Sequence, residues 1–188
     1  MVIRSRTWRR GVACAVAAVF VVATPGRTQD PNAQIPAAHG TALTGTAVAL
    51  PDALKGKVGV LVVGFSHASQ GQVSDWGRLI TADYGQNQGV EYFEIPMLGG
   101  APKMLRGMIV KSMGKSVPAA EKSHFLPLMD DDKPWRAAAH YDKADDAYVL
   151  VVNGDGLVRW QTQGDATDAA WSSLKRELNG LLAGPEAH

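Results

Sequence analysis

The sequence predicts an α/β domain with a central mixed β-sheet flanked by helices. Three observations carry that expectation. Val58 to Phe65 is a nearly continuous apolar run dense in valine, the pattern of a strand buried on both faces. Val73, Trp76, Ile80 and Tyr84 follow it at helical spacing, which predicts an amphipathic helix over 72–84. Ala147 to Val152 is a second apolar strand that runs into Asn153-Gly154-Asp155-Gly156, a hairpin-turn signal, with Leu157 to Thr162 as the returning strand. The hairpin argues against a purely parallel sheet.

The remaining elements fall between these. Val48 to Leu50 is a short strand candidate, and residues 51–57 form a turn with one helical twist. Val90 to Met97 reads as the next strand, ended by Pro96 and Gly99-Gly100. Residues 101–113 read as a second helix. Met104, Leu105, Met108, Ile109 and Met113 are expected on its inward side, with Lys103, Arg106 and Lys111 on the other. His124 to Met129 is a further strand candidate. Asp130-Asp131-Asp132 is expected to be a solvated turn before Pro134 and a short helix holding Trp135. The final helix starts near Asp165 to Asp168, buries Trp171, Leu174, Leu178 and Leu181, and stops at Gly184-Pro185. Acids in its first turn and Lys175-Arg176 later agree with the helix dipole. Trp76, Trp135, Trp160 and Trp171 are read as core or edge-filling side chains. Alternation on the returning strand sends Trp160 inward and Arg159 outward.

A βαβ half followed by a ββα half is the thioredoxin-like plan. The stretches LPDALKGKVGVLVVGFS and AYVLVVNGDGLVRWQTQG resemble the opening and the closing hairpin of thioredoxin-like and peroxiredoxin-like domains. In redox-active relatives a cysteine stands after the first long strand. Here Ser66 to Gln72 occupy that place. Such relatives also carry a proline before the hairpin strand, and here the matching position is about Ala147. A closer resemblance is to the ATP10 family of mitochondrial ATP synthase assembly factors. It rests on VVGFSHASQGQVSDW, on KMLRGMIVKSMGKSVP, and on Tyr148, Gly156, Arg159, Trp160 and Gly164 in the hairpin stretch. That resemblance implies a thioredoxin-like assembly factor or chaperone, not an enzyme.

The first thirty residues have the layout of a secretory signal: Arg4 to Arg10, then an apolar run from Gly11 to Ala23, then small residues. Residues 1–26 are therefore expected to be a signal peptide or short anchor. Residues 27–46, rich in Pro, Ala, Gly, Thr and Gln, are expected to be a flexible linker. Residues 47–184 are expected to be the domain and 185–188 a tail. The expected location is periplasmic or extracellular, or mitochondrial in a eukaryote. Arg4, Arg6, Arg9, Arg10 and Arg27 precede the first acid, Asp30; without them the net charge goes from +1 to about −4. A nucleic-acid binder would show the opposite, a strong basic excess.

The chain has one cysteine, Cys14, inside the signal-like segment. Thiol exchange needs a thiolate and a resolving partner, so the mature domain is not expected to be a thiol enzyme. Other chemistries are weaker still. Ser66 or Ser69 with His67 could make a hydrolytic pair, but no third group can be assigned to orient the histidine; helix capping is the simpler role. Gly114-Lys115-Ser116 lacks the upstream glycine and strand of a phosphate loop. His67, His124 and His140, with Met97, Met104, Met108 and Met113, could in principle hold a soft metal, but no two histidines pair on one element. No cofactor is expected. The stretch from Ile95 to Ala120 holds Lys103, Arg106, Lys111 and Lys115 and no acid, which marks a surface for an acidic partner or a membrane. Candidate partner-binding residues are Ser66, His67, Ser69, Gln70, Lys103, Arg106, Lys111, Lys115 and Arg159. The expected partner is a protein, within a membrane complex or at a membrane surface. Two alternatives remain open: a peroxiredoxin or thiol-reductase relative with unusual or lost chemistry, and a metal-handling accessory protein.

Overall fold

The computed structural model describes residues 33–184. The expected signal segment and the tail lie outside the described residues. Six strands and four helices follow in order: β1 (Ala38–Thr41), β2 (Ala47–Leu50), β3 (Val58–Gly64), α1 (Gln70–Tyr84), β4 (Val90–Pro96), α2 (Lys103–Ser116), α3 (Lys133–Ala138), β5 (Ala147–Val152), β6 (Val158–Gln163) and α4 (Asp168–Ala183). The main sheet has the order β4-β3-β5-β6. β3 and β4 run parallel, while β5 and β6 are antiparallel to their neighbours. It is the mixed sheet the hairpin predicts.

Strand alternation divides the core. Leu61 and Val63 of β3, Phe93 and Ile95 of β4, and Tyr148, Leu150 and Val152 of β5 point to one face. Val60, Val62, Tyr92, Val149 and Val151 point to the other, as period-two geometry requires. The second face is covered by α1 through Val73, Trp76 and Ile80, and by α4 through Leu174 and Leu178. Trp76 is fully buried and its indole Nε1 donates to the Gly164 carbonyl at 2.9 Å, which fixes α1 to the end of β6. On the hairpin Arg159 is exposed and Trp160 packs against the core, as alternation predicts.

The first face is covered by residues 33–46, by residues 124–128 and by α3 through Trp135. Residues 33–46 are not a linker. β1 pairs antiparallel with β2, Ile35, Ala38 and Ala42 are buried, and Ile35 N–H bonds the Gly156 carbonyl while Val158 N–H bonds that of Ala33. The small residues are needed there, not merely tolerated. A Cβ on Gly40 would stand 2.7 Å from Leu126 Cδ1, so only glycine lets β1 press on that side chain. Residues 124–128 do not form a regular strand. They run beside β4 with isolated parallel bridges, Glu94 to Phe125 and Met97 to Leu128, because Pro96 lacks the N–H that a continuous ladder between them would use.

Candidate functional site

The loop from Phe65 to Ser69 leaves the C-terminal end of β3, the place where thioredoxin-like enzymes carry their thiols. Here its polar groups close on themselves. Ser66 Oγ accepts from the N–H groups of Ala68 (3.0 Å) and Ser69 (3.3 Å), and the Ser69 hydroxyl donates to the Ser66 carbonyl at 2.9 Å. Ser69 is fully buried. Neither hydroxyl is bonded to His67, so the serines serve as turn and helix-start groups. Gly64 permits this tight fold-back, since a Cβ there would meet Ser69 Oγ at 2.8 Å.

Ala147, facing Gly64 across the sheet, occupies the usual proline position. Its N–H donates to Gln72 Oε1 at 2.7 Å and its carbonyl accepts from Gly164 N–H. Both main-chain groups are thus satisfied within the chain, and Ala147 itself is buried. Gln72 ends the stretch that stands in place of the thiols but is not among the candidate partner-binding residues; its role depends on a contact between segments 75 positions apart.

Behind the loop opens a cavity of about 470 Å³. Phe65, Met97 and Phe125 form its floor and wall, Ile109 and Met113 of α2 its roof, and Ser66, His67 and Gln70 its mouth. Asp132 and Arg136 stand at one side. The Arg136 guanidinium is held there by Asp132 at 2.9 Å and lies 4.0 Å from the centroid of the Tyr141 ring and 5.1 Å from that of Phe65, a cation–π contact. Tyr148 OH accepts from the N–H groups of Asp142 and Lys143, tying the connection from α3 to β5 onto the same aromatic group. The side-chain chemistry is that of a binding pocket: apolar walls with a few polar groups at the mouth.

The roof helix corrects the sequence reading twice. No residue of α2 is buried, and its inward arc is Arg106, Ile109, Val110 and Met113, each half-buried. Met104 and Met108 point outward instead and are 95% and 63% exposed. Arg106 is not a free cation on an outer face. Its guanidinium donates to the carbonyls of Ala101 (Nε, 2.9 Å), Met129 (Nη1, 2.9 Å) and Gly99 (Nη2, 2.6 Å), so it anchors α2 to the loops before it and after Leu128. Lys103, Lys111 and Lys115 are exposed. Arg159 lies on β6, at the opposite edge of the sheet from β4, and does not join the cavity. The residues that do converge there are Ser66, His67, Ser69 and Gln70.

The histidines proposed for a metal do not converge. His124 stacks on Tyr92 with ring centroids 3.9 Å apart and sits 3.6 Å from Glu91. His140 meets Gln161. His67 stands at the cavity mouth. One buried carboxyl lies on the other side of the sheet. Glu94 of β4 packs against Gly77 of α1, where any Cβ would collide with its Oε1. Burial, aided by the nearby Glu121, pushes its pKa up to about 7, the direction expected when the charged form loses solvent.

Solved structures with this fold include a putative thioredoxin from Neisseria meningitidis, 22% identical over 85% of this chain and 95% of that one with a TM-score of 0.52. They also include a putative thiol:disulfide interchange protein DsbE from Chlorobium tepidum, at 18% identity, 83% and 100% coverage and a TM-score of 0.56. BsSco, a member of the Sco family of cytochrome c oxidase assembly proteins, is 14% identical with 81% and 98% coverage and a TM-score of 0.55. At these identities the likeness establishes the thioredoxin-like fold. No curated protein matches the chain. The family model described as ATP10 protein matches residues 28–181, β1 and β2 included, and by that match the chain belongs to the ATP10 family.

Proposed function

We propose that this protein is a redox-inactive assembly factor that binds a subunit of a membrane complex, an ATP synthase subunit by analogy with its family, and does no thiol chemistry on it. The observation that carries the reading is the apolar cavity at the former thiol position. Its mouth is built from Ser66, His67 and Gln70, no cysteine lines it, and the chain's one cysteine is at position 14 of the sequence. Family membership supports the assembly role. The client would seat an apolar side chain under Ile109 and Met113, with Arg136 and Asp132 orienting its backbone or a polar neighbour. An exported or organelle-targeted location fits the signal-like first 26 residues.

The test is genetic and biochemical. Deleting the gene should lower the amount of assembled ATP synthase on native gels. Wild type and Cys14→Ser should both restore it, whereas Met113→Trp, which fills the cavity, should not. Unchanged assembly in the deletion strain would overturn the reading. Failure of Cys14→Ser to complement would overturn its redox-inactive part.

A further inference from the structure

A second groove, of about 870 Å³, lies between β1 and α2. It is lined by His39 and Thr41 of β1, by Val110, Lys111 and Lys115 of α2, and by Pro127. It shares no residue with the cavity under Ile109 and Met113.

The main-chain hydrogen bonds explain why it is open. The Ala42 N–H donates to the Thr46 carbonyl at 2.9 Å, which sets the phase of the β1–β2 ladder. Gly40 stands opposite Val48 and Ala38 opposite Leu50, so these alternate residues exchange bonds with β2. His39 and Thr41 turn their N–H and C=O groups to the other edge. Leu43, in the same phase, donates its N–H to the Phe125 carbonyl at 3.1 Å. On the facing segment, Leu126 and Leu128 give their N–H groups to the carbonyls of Glu94 and Pro96, so Phe125 and Pro127 turn the opposite way, toward β1. The next rung would join Thr41 to Pro127. Pro127 has no N–H to give, and no bond forms there. Pairing therefore stops after one bond. The four outward main-chain groups of His39 and Thr41 meet no hydrogen-bond partner among the described residues. An open strand edge of this kind is a template for an added strand.

Charge says what the added strand carries. The titratable side chains lining the groove are His39, Lys111 and Lys115, and no acid lines it. Asp52, which senses His39, is paired with Lys55 at 2.7 Å. Past Met129 the charges balance, with exposed Asp130 and Asp131 set against exposed Lys103 and Lys133. Toward Lys115 they do not: residues 31–51 and 101–120 contain no acid. A second copy pairing through its own β1 would bring no acid to these lysines. Nor would residues 1–29 of the chain, which hold arginines and no acid. A lipid surface would answer the lysines but leave the main-chain groups unpaired.

We infer that the outer edge of β1 receives an extended segment of another protein, added as a third strand beside β1, with aspartate or glutamate at the end that reaches Lys111 and Lys115. His39 and Thr41 supply the main-chain bonds, and alternate side chains of the guest meet Val110 and Pro127. The inference stands independently of the cavity and its client, because the two sites have no residue in common.

The experiment pans a random eight-residue peptide library, displayed on phage, against the full-length protein and measures synthetic copies of the enriched peptides by fluorescence anisotropy. The enriched peptides should be rich in β-branched residues with acids clustered at one end. Lys111→Glu with Lys115→Glu should weaken them at least about tenfold and should bind copies in which the acids are replaced by lysine. Thr41→Pro removes an outward N–H and none of the bonds to β2, and should weaken binding about fivefold through loss of one hydrogen bond. Circular dichroism reports whether each variant is folded. Peptides N-methylated at alternate residues, which cannot complete the strand bonds, test the same point from the guest's side and should not bind. Failure to enrich any peptide overturns the inference. So does enrichment without an excess of acids, and so does binding that survives the lysine reversal or N-methylation. Self-association of the wild type that Thr41→Pro abolishes would put a second copy on the edge and overturn it as well.

Discussion

α1 and α2 each follow a strand of the parallel pair, each carries apolar residues at helical spacing, and they have opposite fates. α1 buries Val73, Trp76, Gly77, Ile80 and Tyr84. α2 buries nothing. The difference lies in what anchors each helix. α1 presents large aromatic and branched side chains at i, i+3, i+7 and i+11 (Val73, Trp76, Ile80 and Tyr84) to a sheet face already lined with valine, and hydrogen-bonds through Trp76 to the far hairpin. α2 is held by one guanidinium on three carbonyls and by half-buried Ile109 and Met113 over a cavity. The first is part of the core. The second is a roof, with one side to the cavity and the other to the outside.

The largest test of that contrast is a pair of truncations. Trp76→Ala should lower unfolding free energy by about 3–5 kcal/mol, as loss of a fully buried aromatic does. Met104→Ala, at a side chain 95% exposed, should stay within about 0.5 kcal/mol of wild type. Urea denaturation measures both. Comparable losses for the two would mean that α2 is packed like α1, and the roof description would fail.

The next effect depends on pH and lies under α1. Glu94 has a native pKa of about 7 against an ordinary value of 4.5, so the native state holds a proton that the unfolded chain releases. Stability from this group is complete below about pH 4.5 and is lost as pH rises to 7, levelling off beyond. By linkage the difference amounts to on the order of 3 kcal/mol. Glu94→Gln should therefore match wild type near pH 4.5 and exceed it increasingly up to pH 7–8, in urea titrations across that range. A constant gap, or none at pH 8, would show that Glu94 is not a buried neutral acid.

How much of this could be read from sequence divides along the same lines. β3, α1, β5, the hairpin and α4 are legible because their side chains are large and their periods sharp. β1 is not, because Ala38, Gly40 and Ala42 pack by being small, and small residues look like linker in composition. α2 itself is visible but its orientation is not. A hydrophobic wheel assumes that the apolar arc turns inward, whereas here Arg106 fixes the helix by reaching inward to main-chain carbonyls. At the site, Ser66 to Gln72 are legible as the residues standing where thiols would be. The roles of Gln72 and Arg136 are not, because they arise from contacts between distant segments and from aromatic rings brought together only by the fold.

Arg106 gives the third test. Replacing it with methionine keeps most of the length and removes three charge-assisted donors, so about 1.5–3 kcal/mol should be lost. Hydrogen exchange should localise the change to α2 and the Leu98–Ala101 loop. A loss spread evenly over the sheet would mean that α2 is not a separately anchored element.

The smallest expected effect has the opposite sign. Gly107 has open space around its Cβ position and sits in mid-helix, so Gly107→Ala should stabilise the protein by about 0.5–1 kcal/mol through reduced freedom of the unfolded chain. In α1, Gly77→Ala should do the reverse, because the added methyl collides with the Glu94 carboxyl. The two substitutions are chemically identical and differ only in whether a neighbour is present within the chain. Thermal melts measure both. A destabilising Gly107→Ala would show that the glycine is required by packing within the chain.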